Sequence, residues 1–404
     1  MIKEPQAEKF QSNGNAIEVF AAFFKLGLTS FGGPIAHLGY FRDELVTRRQ
    51  WLSDHAYADL VALCQFLPGP TSSQVGFGLG MIRAGWLGAL AAFTAFTLPS
   101  ALILFVFAMT SATIDGPIGT GVLHGLKIVA VAIVAQAVWG MARSLCPDRE
   151  RATIAVLAVA LMAFIPGTFG MVGAILAGAL ISLVLGHGTS EQIRSHMAMP
   201  VSPGTAVVAI LAFVVLLFLL PLLAGQSQTL AVIDSFYRAG ALVFGGGHVV
   251  LPLLQAEVVQ TDWVTQDAFL AGYGAAQAIP GPLFTFAAYL GAMLGPEPNG
   301  WRGATLALFA VFLPGFLILI GVLPFWHRFR ATVSAQSLMR GANAAVVGIL
   351  GAALYSPVFT SAIAGIKDLA LALGCFVLLM VWKLPPWAVV VVAALGGIGV
   401  TTIP

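Results

Sequence analysis

The chain has 404 residues, 59% of them hydrophobic, and its 19 basic and 17 acidic side chains leave a net charge of +2. Charged residues amount to 9%, against roughly 25% in an average soluble domain, so a soluble fold of this length has too few charges to cover its surface. With no basic tract and no interleaving of aromatic and basic residues, nucleic acid is excluded as a partner.

Residues 1–15 are polar and mixed in charge, without the basic start, apolar stretch and small-residue cleavage site of a signal peptide. They are expected to stay on as a short cytoplasmic leader. Residues 17–47 are apolar but carry Phe31-Gly32-Gly33-Pro34 at their middle, and 56–82 carry Pro68-Gly69-Pro70. Uninterrupted hydrophobic segments follow near 84–110, 118–143, 152–165, 168–186 and 205–225. Two more interrupted segments come next, 229–251 with Phe244-Gly245-Gly246-Gly247 and 267–294 with Pro280-Gly281-Pro282. Further hydrophobic segments lie near 300–323, 336–356, 368–382 and 385–401. A helix needs roughly 20 apolar residues to cross the hydrocarbon layer, a length that 205–225 meets without a charge and 152–165 falls short of.

Proline removes a backbone donor and glycine weakens a helix, so the four interrupted segments predict helix–break–helix units. Inside lipid the freed N–H and C=O groups are tolerated only where protein buries them or where they line a cavity. The expected fold is therefore an all-α polytopic membrane protein whose broken or re-entrant helices face its interior. Cys64, Cys146 and Cys375 are odd in number and far apart, implying neither a disulfide framework nor a zinc site. No cofactor is expected.

The breaks recur at a nearly constant offset. Phe31-Gly32-Gly33 returns as Phe244-Gly245-Gly246, and Gln65-x-x-Pro68-Gly69-Pro70 returns as Gln277-x-x-Pro280-Gly281-Pro282. Gly85-Trp86 and Leu98-Pro99 return in the same order as Gly300-Trp301 and Leu313-Pro314. Smaller echoes pair Lys25 with Arg238, Glu44 with Glu257 and Trp51 with Trp263. The chain reads as a duplication: a leader (1–15), a first half (16–190), a linker with a connecting helix (191–225) and a second half (226–404). The loop after the first break carries Arg42, Arg48 and Arg49, whereas its counterpart carries Glu257, Asp262 and Asp267 and no basic residue. Short basic loops tend to be cytoplasmic, so the halves are expected to be inverted relative to each other.

At Phe24-Lys25-Leu26-Gly27, Ser30-Phe31-Gly32-Gly33-Pro34, Trp51-Leu52, Gln65-Phe66-Leu67-Pro68-Gly69-Pro70 and Phe244-Gly245-Gly246-Gly247 the chain closely resembles the chromate ion transporter family, in its long form with two homologous halves. The likeness covers nearly the whole length. It implies a multi-pass protein of the bacterial inner membrane that exports chromate, confers resistance and exchanges its substrate for protons. Relatives are also credited with sulfate-like transport.

Chromate is a tetrahedral dianion, and helix N-termini offer such an anion free N–H groups and partial positive charge. Gly69 and Gly281 are placed near N-cap positions, with Pro70 and Pro282 at the first helical position. That aims the amides and hydroxyls of Thr71, Ser72 and Ser73 at the first break. The second half has Leu283, Phe284 and Thr285 instead, so the anion is expected to lean toward the first half. Capping of their own backbone is the ordinary use of such hydroxyls. Gly32, Gly33, Gly245, Gly246 and Gly247 either line the site or permit close helix packing. Lys25 and Arg238 are cations within apolar stretches, candidates for substrate contact or for snorkelling to the interface, and Lys127 is a weaker candidate. Gln65 and Gln277 are placed to donate to the anion or to satisfy freed backbone. For proton coupling, His248 directly follows the glycine triplet, His37 lies just after the first break, and Asp43, Glu44 and Glu257 flank the same regions.

The nearest alternative is a carrier of sulfate or another oxyanion, and a passive anion channel is a further one. The chain lacks HExxH, GxSxG and metal-spaced clusters, against an enzyme, and lacks a GxxxxGK[ST] loop, against a primary pump. Homodimers are common among transporters, but no residue pattern here marks an interface.

Overall fold

The computed structural model describes residues 14–111, 116–165, 167–186, 201–326 and 332–402. Most of the leader, the part of the linker before 201 (Arg194 included) and the basic stretch His327–Arg330 lie outside the described residues. Among the described residues there is no strand.

The first half opens with α1 (Ala16–Thr29), capped by the Asn15 side chain, which accepts from the Ile17 amide. After the break at Ser30–Gly32 comes α2 (Gly33–Phe41), which continues through a wider helical turn, Arg42–Arg48. Then follow α3 (Asp54–Phe66), α4 (Thr71–Ser111), α5 (Gly116–Leu145), α6 (Arg149–Phe164) and α7 (Thr168–Leu185). A connecting helix, α8 (Pro203–Leu223), leads to the second half. That half comprises α9 (Gln228–Ala241), α10 (Val250–Val258), α11 (Gln266–Ala276), α12 (Phe286–Ala292), α13 (Gly300–Val322), α14 (Val333–Ala353), α15 (Ile366–Met380) and α16 (Pro386–Thr402). Each piece has its counterpart, except that α4 does in one interrupted helix what α12 and α13 do in two. Its interruption is at Ala84 and Gly85, whose backbones leave helical geometry.

Helix length decides what each piece does. At 1.5 Å per residue the 14 residues of α1 and of α9 reach only about 20 Å, short of a hydrocarbon core about 30 Å thick. They enter, break and turn back. Lys25 and Glu44 lie on either side of the first break, yet their side chains meet at 3.1 Å, and Arg238 meets Glu257 across the second at 2.8 Å. One continuous helix would hold the members of each pair roughly 28 Å from each other. Both segments are therefore re-entrant hairpins. The α3/α4 pair behaves alike: the Gly14 amide donates to the Arg83 carbonyl, and Arg83 pairs with Glu18, bringing the start of α1 and the end of the first part of α4 to one level. Beyond Gly85, α4 turns and crosses. Gly80 and Gly88 pack backbone to backbone in that turn, where an added methyl would collide.

Two ring stacks fix how the halves lie. Phe107, far along α4 from Gly85, stacks on Tyr289 next to the open end of the second hairpin pair, at 5.7 Å. Phe316, far along α13 from Gly300, stacks on Phe77 near the open end of the first pair, at 4.5 Å. The hairpins of the two halves thus open at opposite ends of the bundle. The end with Arg42, Arg48, Arg49 and Arg83 also receives Arg143, Arg149 and Arg151 at the α5–α6 turn, while Asp262, Asp267, Glu297 and Asp368 lie at the other, with Lys127, Arg302 and Lys367 as exceptions to the pattern there. The halves are interlocked: α5 packs against α15 and α16, and α14 packs against α6 and α7.

Among the described residues six helical stretches, in α4, α5, α7, α8, α13 and α14, are long and apolar enough to cross a membrane; α6, α15 and α16 are shorter. Large apolar side chains stay exposed along these helices, Val184, Phe218 and Leu222 among them, as expected of surface that meets lipid.

Candidate functional site

The four breaks meet at one place. The Gly69 amide donates to the Val243 carbonyl at 2.8 Å, and the Gly281 amide donates to the Ser30 carbonyl at 2.9 Å. These bonds are equivalents of each other under the repeat, so each proline–glycine break of one half is tied to the glycine break of the other. Gly247 of the second half rests on Pro34 of the first, its own counterpart. Gly69 and Gly281 have φ of +117° and +105°, which side-chain-bearing residues rarely adopt. Their amides are consumed by this cross-linking.

The first-half side of the junction is buried and polar. Ser72 Oγ lies 3.2 Å from His37 Nδ1, and the His37 ring stands edge-on to Phe96. Gln74 Nε2 donates to the Pro68 carbonyl at 2.9 Å and to the Gly315 carbonyl at 2.8 Å. Ser30 Oγ, His37 Nε2, Ser73 Oγ, Gln74 Oε1 and Thr97 Oγ1 are buried with no hydrogen-bond partner among the described residues. Native proteins leave few such atoms unsatisfied, so their presence across the junction, Ser30 at the Gly281 bond and Gln74 beside Gly69, marks a place prepared for a polar ligand. The first amides of a helix have no intrahelical acceptor, which leaves Thr71, Ser72 and Ser73 as donors at the same spot.

The second-half side is more open and more apolar. Leu283, Phe284 and Phe286 stand where Thr71, Ser72 and Gln74 stand in the first half, and Thr285 Oγ1 donates back to the Pro282 carbonyl. His248 is half-buried and shares a 2.8 Å hydrogen bond through Nδ1 with the Tyr273 hydroxyl. Gln277 is half-exposed with its Nε2 unpaired, and Asn343 Oδ1 lies beside Gly245. Gly246 and Gly281 are half-exposed, and across the junction Gly32 and Gln65 are exposed while Gly33 is half-buried.

The cations sit elsewhere. Glu44, 9% exposed, receives Lys25, Arg48 and Arg49, so Lys25 closes the open end of its hairpin rather than facing the break. Arg238 does the same for Glu257 and also pairs with Asp234 at 2.9 Å, while Thr168 donates to Glu257 from α7. Lys127 pairs with Asp267 at 3.0 Å, and His124 meets Asp368 at 2.8 Å, both around a cavity of about 490 Å³ at the acidic end. Among the described residues no cluster of His, Cys, Asp and Glu is placed to hold a metal ion.

The model of the family described as "Chromate transporter" matches twice, over residues 17–183 and 230–398. The chain belongs to the chromate transporter family. The chromate transport protein of Pseudomonas aeruginosa is 31% identical over 343 residues, covering 83% of this chain and 79% of that protein. A probable chromate transport protein of Synechococcus elongatus is 27% identical over 93% of both chains. The chromate transport protein of Cupriavidus metallidurans is 26% identical over 82% of this chain and 80% of its own length. No solved structure matches the chain. The two matched regions coincide with the two interlocked halves, so this transporter-family unit is present twice in a multi-pass membrane protein.

Of the residues singled out from sequence, the structure brings Gly32, Gly33, Gly69, Thr71, Ser72, Gly245, Gly246, His248, Gln277 and Gly281 to the junction region. It takes Lys25, Glu44, Arg238 and Glu257 to the hairpin ends. Ser30, Gln74, Thr97, Tyr273 and Asn343 escaped notice. The available signal was polarity alone: Thr97, Tyr273 and Asn343 are single polar residues within apolar runs, while Gln74 ends the polar run 71–74 and Ser30 follows Thr29, patterns that also describe many capping and helix-packing residues.

Proposed function

We propose that the protein is a secondary active transporter that exports chromate across the bacterial inner membrane in exchange for protons, and so confers chromate resistance. The observation that carries this is the junction of four broken helices, where the N-terminus of α4 and unpaired buried hydroxyls and imidazole offer an anion the donors that offset its desolvation. Thr71 and Ser72 would contact the oxyanion, with Gly32, Gly33, Gly69, Gly245, Gly246 and Gly281 shaping the space and Gln65 and Gln277 at its edge. Lys25 and Arg238 enter as clamps that hold the hairpins closed, with Glu44 and Glu257 as their partners. His248 is the proposed proton carrier, since it is half-open at the junction and its ring is oriented by Tyr273. In the membrane the basic end faces the cytoplasm, making the halves an inverted-topology repeat.

Radiolabelled chromate uptake into inverted membrane vesicles under an imposed pH gradient tests this, with and without excess sulfate. Uptake that requires the gradient supports proton-coupled export. Uptake without any gradient points to a channel, and uptake abolished by sulfate points to a general oxyanion carrier.

A further inference from the structure

Gln74 is fully buried at the mouth of α4, and the direction of its amide is settled by chemistry. Its Nε2 donates to two carbonyls, those of Pro68 and Gly315, which accept and never donate. The amide cannot be turned over without facing two acceptors with a third, so Oε1 must be the atom left without a partner. Because Nε2 reaches back to Pro68, the amide group lies beside Gly69 and Gly315, at the break from which α4 starts. Everything else unpaired around this break is able to donate, whereas Oε1 only accepts. The repeat supplies no second copy: the equivalent residue is Phe286.

We propose that Gln74 makes the site select oxyanions that carry a hydrogen, so that chromate is bound as hydrogen chromate and sulfate is refused. This rests on the transport reading above and adds what that reading lacks, a means of separating two anions of the same shape. The chromate dianion takes up a proton near neutral pH, whereas sulfate does so only in strong acid. Hydrogen chromate presents three bare oxygens to the donors at the helix start and one O–H to Oε1. Sulfate presents a bare oxygen there, and two buried acceptors face each other unpaired. A site built to bond a substrate hydroxyl strongly rejects the analogue that lacks it. Other titratable groups stand near: His37 on α2, His248 at the second break and Tyr273 on α11, with the Lys25–Glu44 and Arg238–Asp234–Glu257 groups at the hairpin ends. Their titration acts on both anions, so the chromate-to-sulfate ratio isolates the proton on the ligand.

The test is binding to the purified full-length protein in detergent, read as thermal stabilisation by chromate and by sulfate on both sides of the pH at which the chromate dianion is protonated. On the acid side chromate should bind roughly tenfold or more tighter than sulfate, and that advantage should shrink as pH rises. Gln74→Leu should narrow the ratio on the acid side; the wild-type comparison keeps the test decisive where this variant fails to fold. A ratio near one, a ratio that does not change with pH, or a folded Gln74→Leu variant that keeps the preference overturns the inference while leaving oxyanion carriage standing. Failure to bind either anion overturns both.

Discussion

Replacing Gly281 by alanine tests whether the cross-bonded junction is needed, and the structure supplies the magnitude. At φ of +105° an alanine is strained by about 1–3 kcal/mol. Its methyl would stand 2.7 Å from Ser100 Oγ, 3.2 Å from Ser100 Cβ and 3.4 Å from the Phe96 carbonyl. The hydroxyl can rotate aside, but the Cβ contact needs a shift of backbone, at about 1–3 kcal/mol for such overpacking. Together the two effects amount to roughly 2–6 kcal/mol, applied where the Gly281 amide holds the Ser30 carbonyl. The residue equivalent to Ser100 is Gly315, whose Cα a methyl at Gly69 would meet at 2.9 Å, so backbone blocks that position, whereas at Gly281 the nearest blocking atoms belong to the Ser100 side chain. Ser100→Gly should therefore return the steric part in Gly281→Ala and leave the backbone part. A double-mutant cycle on melting in detergent, run beside chromate uptake in vesicles, separates them. Wild-type melting and uptake in Gly281→Ala would refute the reasoning, and so would strict additivity of the two substitutions.

Lys25→Gln should be mild, within about 1 kcal/mol, because Glu44 keeps Arg48 and Arg49; Arg238→Gln should be severe, about 3–5 kcal/mol, because it strands Asp234 and Glu257, both nearly buried. Melting of the two variants side by side checks the contrast. His248→Ala should abolish pH-driven exchange while sparing chromate binding, and unchanged pH dependence in proteoliposomes would count against the proton-carrier role. Cysteines placed singly at the exposed Asp43 and Asp262, in a chain with its native cysteines replaced, should label from opposite sides of the membrane; labelling from one side would contradict the inverted arrangement.

The sequence made the architecture legible because its punctuation is strong. Pro-Gly-Pro and Gly-Gly breaks cannot continue a helix, they return in the same order at a nearly constant offset, and the apolar runs between them match the helices found. The site was less legible. Thr71 and Ser72 follow from the proline before α4, a local rule, and they do reach the junction, although Pro70 and Pro282 stand at the N-cap rather than at the expected first helical position. Lys25 and Arg238 drew attention as charges in apolar stretches, yet each meets a glutamate from beyond its break, a spacing that becomes informative only once the segment between is known to fold back. Gln74 and Ser30 gain significance from contacts with Gly315 and Gly281, which belong to the other half of the chain, and no local pattern encodes those.

The reciprocal bonds between breaks have a consequence for the order of assembly. When the first half has just been inserted, the Ser30 carbonyl and the Gly69 amide lie within the bilayer without the partners that Gly281 and Val243 later provide. The helices α5, α6 and α7 likewise wait for α14, α15 and α16. The amino-terminal half cannot reach its final form as it leaves the ribosome, and must be held open until the chain beyond Gly281 arrives. Folding of the two halves is completed as one event, late in synthesis, and a chain severed between α7 and α8 should recover its structure only when both pieces are made together.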